Sequence, residues 1–292
     1  MPPKAHGAYL TWRGSCKRTP DPPAPPDTVN DSVLAVIPAR LASERLPEKP
    51  LQPIAGRPLI EWVWRRTSAM GLFGEVVVAT DHPRVVEACR HFNARVVLTD
   101  DAHPSGTDRV AEVVRMREFA SFRFIVNVQG DEPLVDEEHL EAAVNLVRSD
   151  DWHLGTCAGP LETPEALADP SVVKVARAGD GRALYFSRAA IPHRRAGPPT
   201  DEELQRTPYL RHLGIYAYRR EALLRWVALP PSPLEQLERL EQLRPLEAAM
   251  PMGVAVVANP VGGVDTVADL ARMEGILSGA SGLIPSEPRA HD

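Results

Sequence analysis

Two carboxylates in this chain have settings that suit metal-dependent chemistry. In "FIVNVQGDEPLVD", residues 124–136, an apolar run that predicts a buried strand ends at Gly130, and Asp131 follows at once. Asp265 has a similar setting in "GGVDT", where two glycines precede it and a helical pattern follows it. Mg²⁺ is commonly bound by one or two protein carboxylates, completed by water and substrate phosphates. The pattern predicts a Mg²⁺ site made by Asp131 and Asp265, with helix capping as an alternative for Asp265.

A basic, proline-rich loop supplies the complementary charge. Residues 38–58, "PARLASERLPEKPLQPIAGRP", contain too many prolines to form one helix, and they follow the first predicted strand. Open α/β sheets bind ligands at the carboxyl ends of their strands. If the loop folds back, Arg40, Arg45 and Lys49 can contact one polyphosphate. A solvated loop without function is the alternative, and the chain has no GxxxxGK[ST] phosphate loop.

A third segment, "HPSGTDRVAEV" at residues 103–113, places Ser105, Gly106 and Arg109 at the start of a predicted helix. The unpaired N–H groups of a helix start can bind an anion or the polar edge of a base. An ordinary serine or threonine cap is the alternative.

The elements that must position these residues alternate between short β-rich runs and amphipathic helices. Strands are predicted at 33–38, 75–80, 94–98 and 124–128, and helices at 58–71, 83–92 and 107–118. This alternation predicts an α/β fold, a mostly parallel sheet with helices on both faces. A smaller β-rich insertion of antiparallel character is predicted at about 153–230.

The end of the chain adds further predicted elements. Leu234, Leu237, Leu240 and Leu243 recur at helical spacing, which predicts a helix with an apolar core face, and a last strand and helix follow. Residues 32–280 are predicted to form one folded domain, and residues 281–292 a flexible C-terminus.

Residues 1–31 are rich in proline and poor in large apolar residues, which predicts a disordered tail. Four basic residues and no acid in its first 20 residues weakly resemble a transit peptide, which is an alternative interpretation.

Composition limits the classes of function. The chain has 292 residues, 43% hydrophobic and 25% charged, enough for a full core. A net charge of -6 and a pI near 5.9 argue against a nucleic-acid partner. Three widely spaced cysteines predict neither a disulfide framework nor a zinc site. No apolar run reaches the ~18 residues of a membrane span and no secretory signal is visible, so we expect no membrane partner and a cytoplasmic location.

Eight segments, in order along residues 33–277, closely resemble the 3-deoxy-manno-octulosonate cytidylyltransferase family. They are "VIPAR" with "SERLPEKPL", "VVVATD", "PSGTDRVAEVV", "IVNVQGDEPLV", "ALYFSRAAIP", "RHLGIYAYR", "SPLEQLERLEQLR" and "GVDT". The resemblance implies a nucleotidyltransferase of the GT-A-like fold that requires Mg²⁺, uses CTP as donor and forms a homodimer. It also implies that the β-rich region at about 153–230 is a subdomain for dimerisation and sugar binding. The implied reaction transfers CMP to the anomeric hydroxyl of 3-deoxy-D-manno-octulosonate (Kdo) for lipopolysaccharide biosynthesis.

The resemblance also implies a role for each matching residue. Arg40, Arg45 and Lys49 would bind the triphosphate, and Asp131 and Asp265 the metal; the first four are the implied catalytic residues. Ser105, Gly106 and Arg109 would contact the nucleotide. The residues implied to contact the sugar acid are Gln129, Arg188, His212, Tyr216, Glu241 and Gln242. Without the resemblance, His212 would be interpreted as a structural histidine, and Glu241 and Gln242 as the solvated flank of the leucine stripe.

Two departures from the family pattern and three rival functions stay open. Glu48 stands where many members have glycine, and we expect it to point away from the phosphates. Residues 191–210 are rich in proline and unlike the usual linker, which leaves sugar contacts there in doubt.

The rival functions are a cytidylyltransferase for 8-amino-Kdo, one for sialic acid, and a catalytically silent nucleotide-binding protein. The glycine-poor first loop disfavours the second, and the intact acids and cations disfavour the third.

Overall fold

The computed structural model describes residues 30–43, 45–206, 209–258 and 262–279. Its strands are β1 (Asn30–Pro38), β2 (Pro53–Ile54), β3 (Arg57–Pro58), β4 (Phe73–Thr80), β5 (Arg95–Leu98), β6 (Phe122–Asn127), β7 (Leu154–Pro160), β8 (Lys174–Arg177), β9 (Ala183–Ser187), β10 (Leu210–Arg219) and β11 (Met252–Val256). Its α-helices are α1 (Leu59–Ser68), α2 (Pro83–His91), α3 (Gly106–Arg115), α4 (Glu137–Arg148), α5 (Pro164–Ala168), α6 (Asp201–Arg206), α7 (Arg220–Ala228), α8 (Pro233–Glu238), α9 (Leu243–Glu247) and α10 (Val267–Gly279).

The central sheet has the strand order β11-β7-β10-β6-β1-β4-β5. Strands β6, β1, β4 and β5 pair in parallel, as do β11 and β7. Only β10 in this order runs against both of its neighbours, β6 and β7. The predicted α/β fold with a mostly parallel sheet is therefore confirmed.

Strand β1 shows why both faces of the sheet are covered. Val33, Ala35 and Ile37 are buried in one core cluster, while Leu34 and Val36 are buried in the other. Successive side chains of a strand point to opposite faces, so an unbroken apolar run requires a core on each side. Helices α1, α2 and α4 supply buried residues to the first cluster, and helices α3 and α7 supply them to the second.

The β-rich middle of the chain is partly inside the central sheet. Strands β7 and β10 are members of it, and β8 and β9 lie off its main path as an antiparallel pair. Strand β10 has ten residues and therefore joins the central sheet to the β8–β9 pair. Its residues 216–219 pair with β6, and its residues 210–211 pair with β8. The smaller β-rich extension therefore consists of β8 and β9 alone.

The ends of the fold differ slightly from the predicted boundaries. Strand β1 begins at Asn30, which pairs with Phe122, so residues 30 and 31 belong to the first strand and not to the predicted tail. The remaining tail residues, 1–29, and the predicted flexible end, 281–292, lie outside the described residues. No helix in the described ranges is both long enough and apolar enough to cross a membrane.

The leucine stripe is interrupted, and the prediction that all four leucines belong to the core is wrong. Leu240 and Leu243 are buried, but Leu237 is 81% exposed. The reason is local: α8 ends at Glu238 because Arg239 adopts a left-handed conformation with φ 51°, and α9 begins only at Leu243. Two short helices replace the predicted single one, so helical spacing no longer places the leucines on one face.

Candidate active site

A cavity of about 410 Å³ opens where β1 and β6 end. Its walls come from the basic loop after β1, the start of α3, the loop after β6, and single residues close to α9 and α10. The predicted site residues that line it are Arg40, Arg45, Lys49, Ser105, Gly106, Arg109, Gln129, Asp131, Glu241 and Asp265. Segments that are far apart in sequence thus converge on one polar cavity.

The close approach of two loops explains Gly130. Strands β1 and β6 are parallel neighbours with Val36 opposite Asn127, so the loops that follow them emerge side by side. A Cβ atom added to Gly130 would lie 2.5 Å from the carbonyl oxygen of Pro38. Because backbone cannot yield at that distance, a side chain at this position would push Asp131 away from the basic loop.

A lysine side chain lies between the two predicted metal ligands and contacts both. Lys49 Nζ lies 2.5 Å from Asp131 Oδ2 and 3.1 Å from Asp265 Oδ1, and Arg45 Nη2 lies 3.0 Å from the same Asp265 oxygen. Burial alone would lower the pKa of Lys49, but the two carboxylates outweigh it and raise that pKa. The ammonium group is therefore held in its charged form.

Asp265 is held beside Asp131 by the backbone. Val264 donates its N–H to the carbonyl of Asp131 at 2.8 Å. The alternative role of Asp265 as a helix cap is taken by Thr266, whose Oγ1 accepts a hydrogen bond from Asp269 N at 3.2 Å. The carboxylate of Asp265 consequently faces the cavity and contacts the two cations.

The chemistry of this pair of acids fits Mg²⁺. One oxygen of each acid contacts the same lysine nitrogen, so both carboxylates already converge on a single cation. Within the described residues, no group of three or more His, Cys, Asp or Glu side chains could enclose a metal ion. A bound Mg²⁺ would therefore complete its coordination with water and nucleotide phosphates, as this ion often does.

The side chain of Arg109 is buried and forms an ion pair within the protein. Its side chain is 4% exposed, and its Nη2 donates to Asp81 Oδ2 at 3.0 Å. Asp81 Oδ1 in turn accepts a hydrogen bond from the backbone N–H of Leu41 at 3.0 Å. Asp81 thus links helix α3 to the basic loop. Sequence reasoning gave it no role, although its place directly after β4 in "VVVATD" was a usable signal.

The start of α3 serves both as a cap and as part of the cavity wall. Ser105 Oγ accepts a hydrogen bond from Asp108 N at 3.2 Å, so the capping alternative is correct for this residue, which also lines the cavity. Thr107 Oγ1 donates to Glu241 Oε2 at 3.0 Å, a contact that sequence reasoning did not foresee. Burial raises the pKa of Glu241, and the nearby hydroxyls of Ser105 and Thr107 act against that rise.

The remaining residues that are predicted to contact the sugar are buried or already form hydrogen bonds within the protein. Gln129 Nε2 donates to the carbonyl of Gly214 at 2.6 Å while lining the cavity. Arg188 donates to the carbonyls of Glu238 and Pro170, at 2.8 and 3.0 Å. Gln242 is 4% exposed beside Glu241. Arg188 and Gln242 do not belong to the cavity wall, so their contact with a sugar stays a prediction.

His212 and Tyr216 also lie outside the cavity wall, in an aromatic cluster behind it. Their rings are 5.4 Å apart, and the His212 ring meets Phe186 edge to face at 4.9 Å. His212 Nε2 shares a hydrogen bond with Thr156 Oγ1 at 2.9 Å. This is the setting of a structural histidine, and a role in sugar binding stays a prediction for both residues.

The burial of His212 predicts acid sensitivity. Burial lowers the pKa of His212 to about 3, far below the ordinary value of 6.5. The unfolded chain gains a proton below about pH 6.5 and the native protein does not, so native stability falls as the pH drops from 6.5 towards 3. Between pH 7 and pH 5 we expect this group to remove about 1–2 kcal/mol from the free energy of unfolding. Urea unfolding of the wild type and of His212→Asn at both pH values measures it. An equal loss in both proteins would contradict the assignment.

Glu48 points away from the cavity, as expected. Its carboxylate accepts hydrogen bonds from the two terminal guanidinium nitrogens of Arg84 on α2, with Nη2 2.8 Å from Oε2. Glu48 has φ 52°, in the left-handed region where glycine is favoured. A glycine would adopt this conformation without strain, so the backbone at this position does not itself require a side chain.

An open, mostly parallel sheet with a cavity of cations and paired acids at the carboxyl ends of its strands defines a nucleotidyltransferase of the α/β class. The family model described as cytidylyltransferase matches residues 34–252. The 3-deoxy-manno-octulosonate cytidylyltransferase of Gemmatimonas aurantiaca is 51% identical over 240 residues, covering 82% of this chain and 92% of that protein. The enzyme of the same name from Methylococcus capsulatus is 47% identical over 252 residues, covering 84% and 96%.

A solved structure agrees in fold and in name. The structure of CMP:2-keto-3-deoxy-manno-octonic acid synthetase complexed with CTP matches with a TM-score of 0.77 and 38% identity, covering 85% of this chain and 99% of that one. The chain therefore belongs to the 3-deoxy-manno-octulosonate cytidylyltransferase family, as the sequence resemblance predicted.

Proposed function

We propose that the protein transfers CMP from CTP to the anomeric hydroxyl of Kdo in a Mg²⁺-dependent reaction, giving CMP-Kdo and pyrophosphate for lipopolysaccharide biosynthesis. The observation that carries the proposal is the meeting of three basic residues and two acids in one cavity: Arg40, Arg45, Lys49, Asp131 and Asp265. A triphosphate needs the cations, and the acids need a metal if they are to lie near its phosphates.

The chain's own contribution to the reaction is position and charge. The sugar hydroxyl forms a bond to the α-phosphorus and releases its proton to water, while the bond from that phosphorus to the bridging oxygen of pyrophosphate breaks. Phosphoryl transfer of this kind needs no covalent help from the protein. Arg40, Arg45 and Lys49 stabilise the charge that develops on the departing pyrophosphate.

Two acidic residues and one buried ion pair have further roles in the proposed reaction. Asp131 and Asp265 would hold Mg²⁺, which when bound offsets phosphate charge and acidifies a bound hydroxyl. The Asp81–Arg109 pair links the basic loop to α3, the two segments that would bind the nucleotide, and so helps to orient the nucleotide before the reaction. We also propose a cytoplasmic location and a homodimer, and light scattering of the purified protein tests the latter.

The test is pyrophosphate release from the purified protein with CTP and Mg²⁺, in parallel reactions with Kdo, 8-amino-Kdo, sialic acid or no sugar. We expect release that depends on Kdo and stops when Mg²⁺ is chelated. Release with 8-amino-Kdo or sialic acid but not with Kdo would overturn the substrate assignment. CTP binding without release in any reaction would instead identify a silent nucleotide-binding protein.

A further inference from the structure

Lys49 lies where the proposed divalent cation would have to bind. Its ammonium nitrogen contacts Asp131 Oδ2 at 2.5 Å and Asp265 Oδ1 at 3.1 Å, and its side chain is only 19% exposed. These are one oxygen from each of the two acids that would hold the metal. An ammonium group and a metal ion cannot share that position, because both need the same carboxylate oxygens and repel each other.

The side chain can leave this position without disturbing the fold. The backbone of Lys49 begins a short 3₁₀ turn that is fixed by the buried Pro50 and by a 2.8 Å hydrogen bond from Leu51 N to Glu48 O. The long, flexible stem of a lysine can therefore swing while the loop stays still. Lys49 lines the same cavity as Arg40 and Arg45, so triphosphate oxygens would lie within its reach.

We infer that Lys49 is an exchangeable placeholder for the divalent cation. In the nucleotide-free protein it neutralises Asp131 and Asp265 and competes with free metal for them. When the nucleotide brings its phosphates, the ammonium group transfers to them and leaves the acids to the metal, so metal and nucleotide enter together. This inference rests on the proposed function, because it requires that the two acids hold a metal in the active complex.

Arg40 provides a matched control. It is an exposed cation that lines the same cavity. Within the described residues, the salt bridges of the two acids are made by Lys49 and Arg45. Removing the charge of Arg40 therefore changes the potential of the cavity without freeing a carboxylate oxygen.

The experiment measures Mn²⁺ binding by the electron paramagnetic resonance signal of the free ion, first without nucleotide. We expect Lys49→Met to bind Mn²⁺ about ten-fold more tightly than the wild type, and Arg40→Met to gain no more than about three-fold. With CTP present, Lys49→Met should instead bind the Mn²⁺–CTP pair about ten-fold more weakly than the wild type does. Greater metal affinity together with weaker nucleotide binding would identify a placeholder.

Other outcomes overturn the inference or the function beneath it. Unchanged or weaker Mn²⁺ binding by a folded Lys49→Met, or an equal gain in Arg40→Met, would overturn the placeholder role. If Lys49→Met does not fold, Lys49→Gln is judged by the same criteria, because it also removes the charge and keeps a polar side chain. If the wild type fails to bind Mn²⁺ even with CTP, or Asp131→Asn binds the Mn²⁺–CTP pair as well as the wild type, the proposed metal site itself is wrong.

Discussion

Replacing Asp131 with asparagine is expected to lower kcat for pyrophosphate release by about 1,000-fold while the protein stays folded. The substitution removes one of the two carboxylate charges that converge in the cavity, and an amide is a far weaker ligand for Mg²⁺. The fold should tolerate the change, because Lys49 keeps its ion pair with Asp265 and no buried charge is stranded. The measurement is pyrophosphate release at saturating CTP, Kdo and Mg²⁺, with the melting temperature recorded beside it.

Glu48→Gln is the matched control for Asp131→Asn. It also removes one carboxylate charge, this time within the basic loop itself, but that carboxylate pairs with Arg84 outside the cavity. Its turnover should stay within about three-fold of the wild type, because exposed ion pairs contribute little. If Asp131→Asn kept more than about a tenth of wild-type turnover, Asp131 would not be the ligand on which the reaction depends.

The second large effect is expected on stability, from Asp81→Ala. This substitution leaves the guanidinium of Arg109, which is 4% exposed, without its carboxylate and leaves the Leu41 N–H without its acceptor. Removing one member of a buried ion pair typically costs about 3–5 kcal/mol, and we expect about 4 kcal/mol here. Urea unfolding at pH 7 measures the change in the free energy of unfolding. The Michaelis constant for CTP should rise in the same variant, because Leu41 adjoins Arg40 in the basic loop.

Asp150→Ala separates the effect of burial from that of simple charge removal. Asp150 pairs with Arg219 at 3.0 Å, but its side chain is 96% exposed, so its loss should change the free energy of unfolding by less than about 1 kcal/mol. The double variant Asp81→Asn with Arg109→Met should be less destabilised than the sum of its single changes, because neither charge is then left alone. Equal losses in Asp81→Ala and Asp150→Ala would show that the buried pair is not a structural link.

Much of the architecture could be predicted from the sequence because it depends on local patterns. Continuous apolar runs such as residues 33–37 indicate strands that are buried on both faces, and amphipathic segments between them indicate crossover helices. Parallel strands place their carboxyl ends at one edge of a sheet, so Asp131 and the basic loop could be expected to meet. Asp265 could also be predicted as part of this site, because two glycines precede it and the last helix follows it.

The same reasoning failed where one residue changed the course of the chain. Helical spacing predicted one helix with Leu234, Leu237, Leu240 and Leu243 on its core face, but the left-handed turn at Arg239 ends α8 and leaves Leu237 exposed. Arginine rarely adopts that conformation, so the sequence carried no signal for the break. Strand β10 presented a related difficulty, because which strands it pairs with depends on elements that precede it by many residues.

The sequence by itself determined the class of fold, the edge of the sheet where chemistry can occur, and the kinds of side chain gathered there. Only the tertiary structure decided the partner of each charge: Arg109, expected to meet the nucleotide, is bound to Asp81; Glu48 is bound to Arg84; and Lys49 lies between Asp131 and Asp265. The physical reason is that an ion pair depends on distances of a few ångströms between segments that are far apart in the chain. Residue type and local spacing report which groups are present, and the packing of the whole domain determines which of them touch.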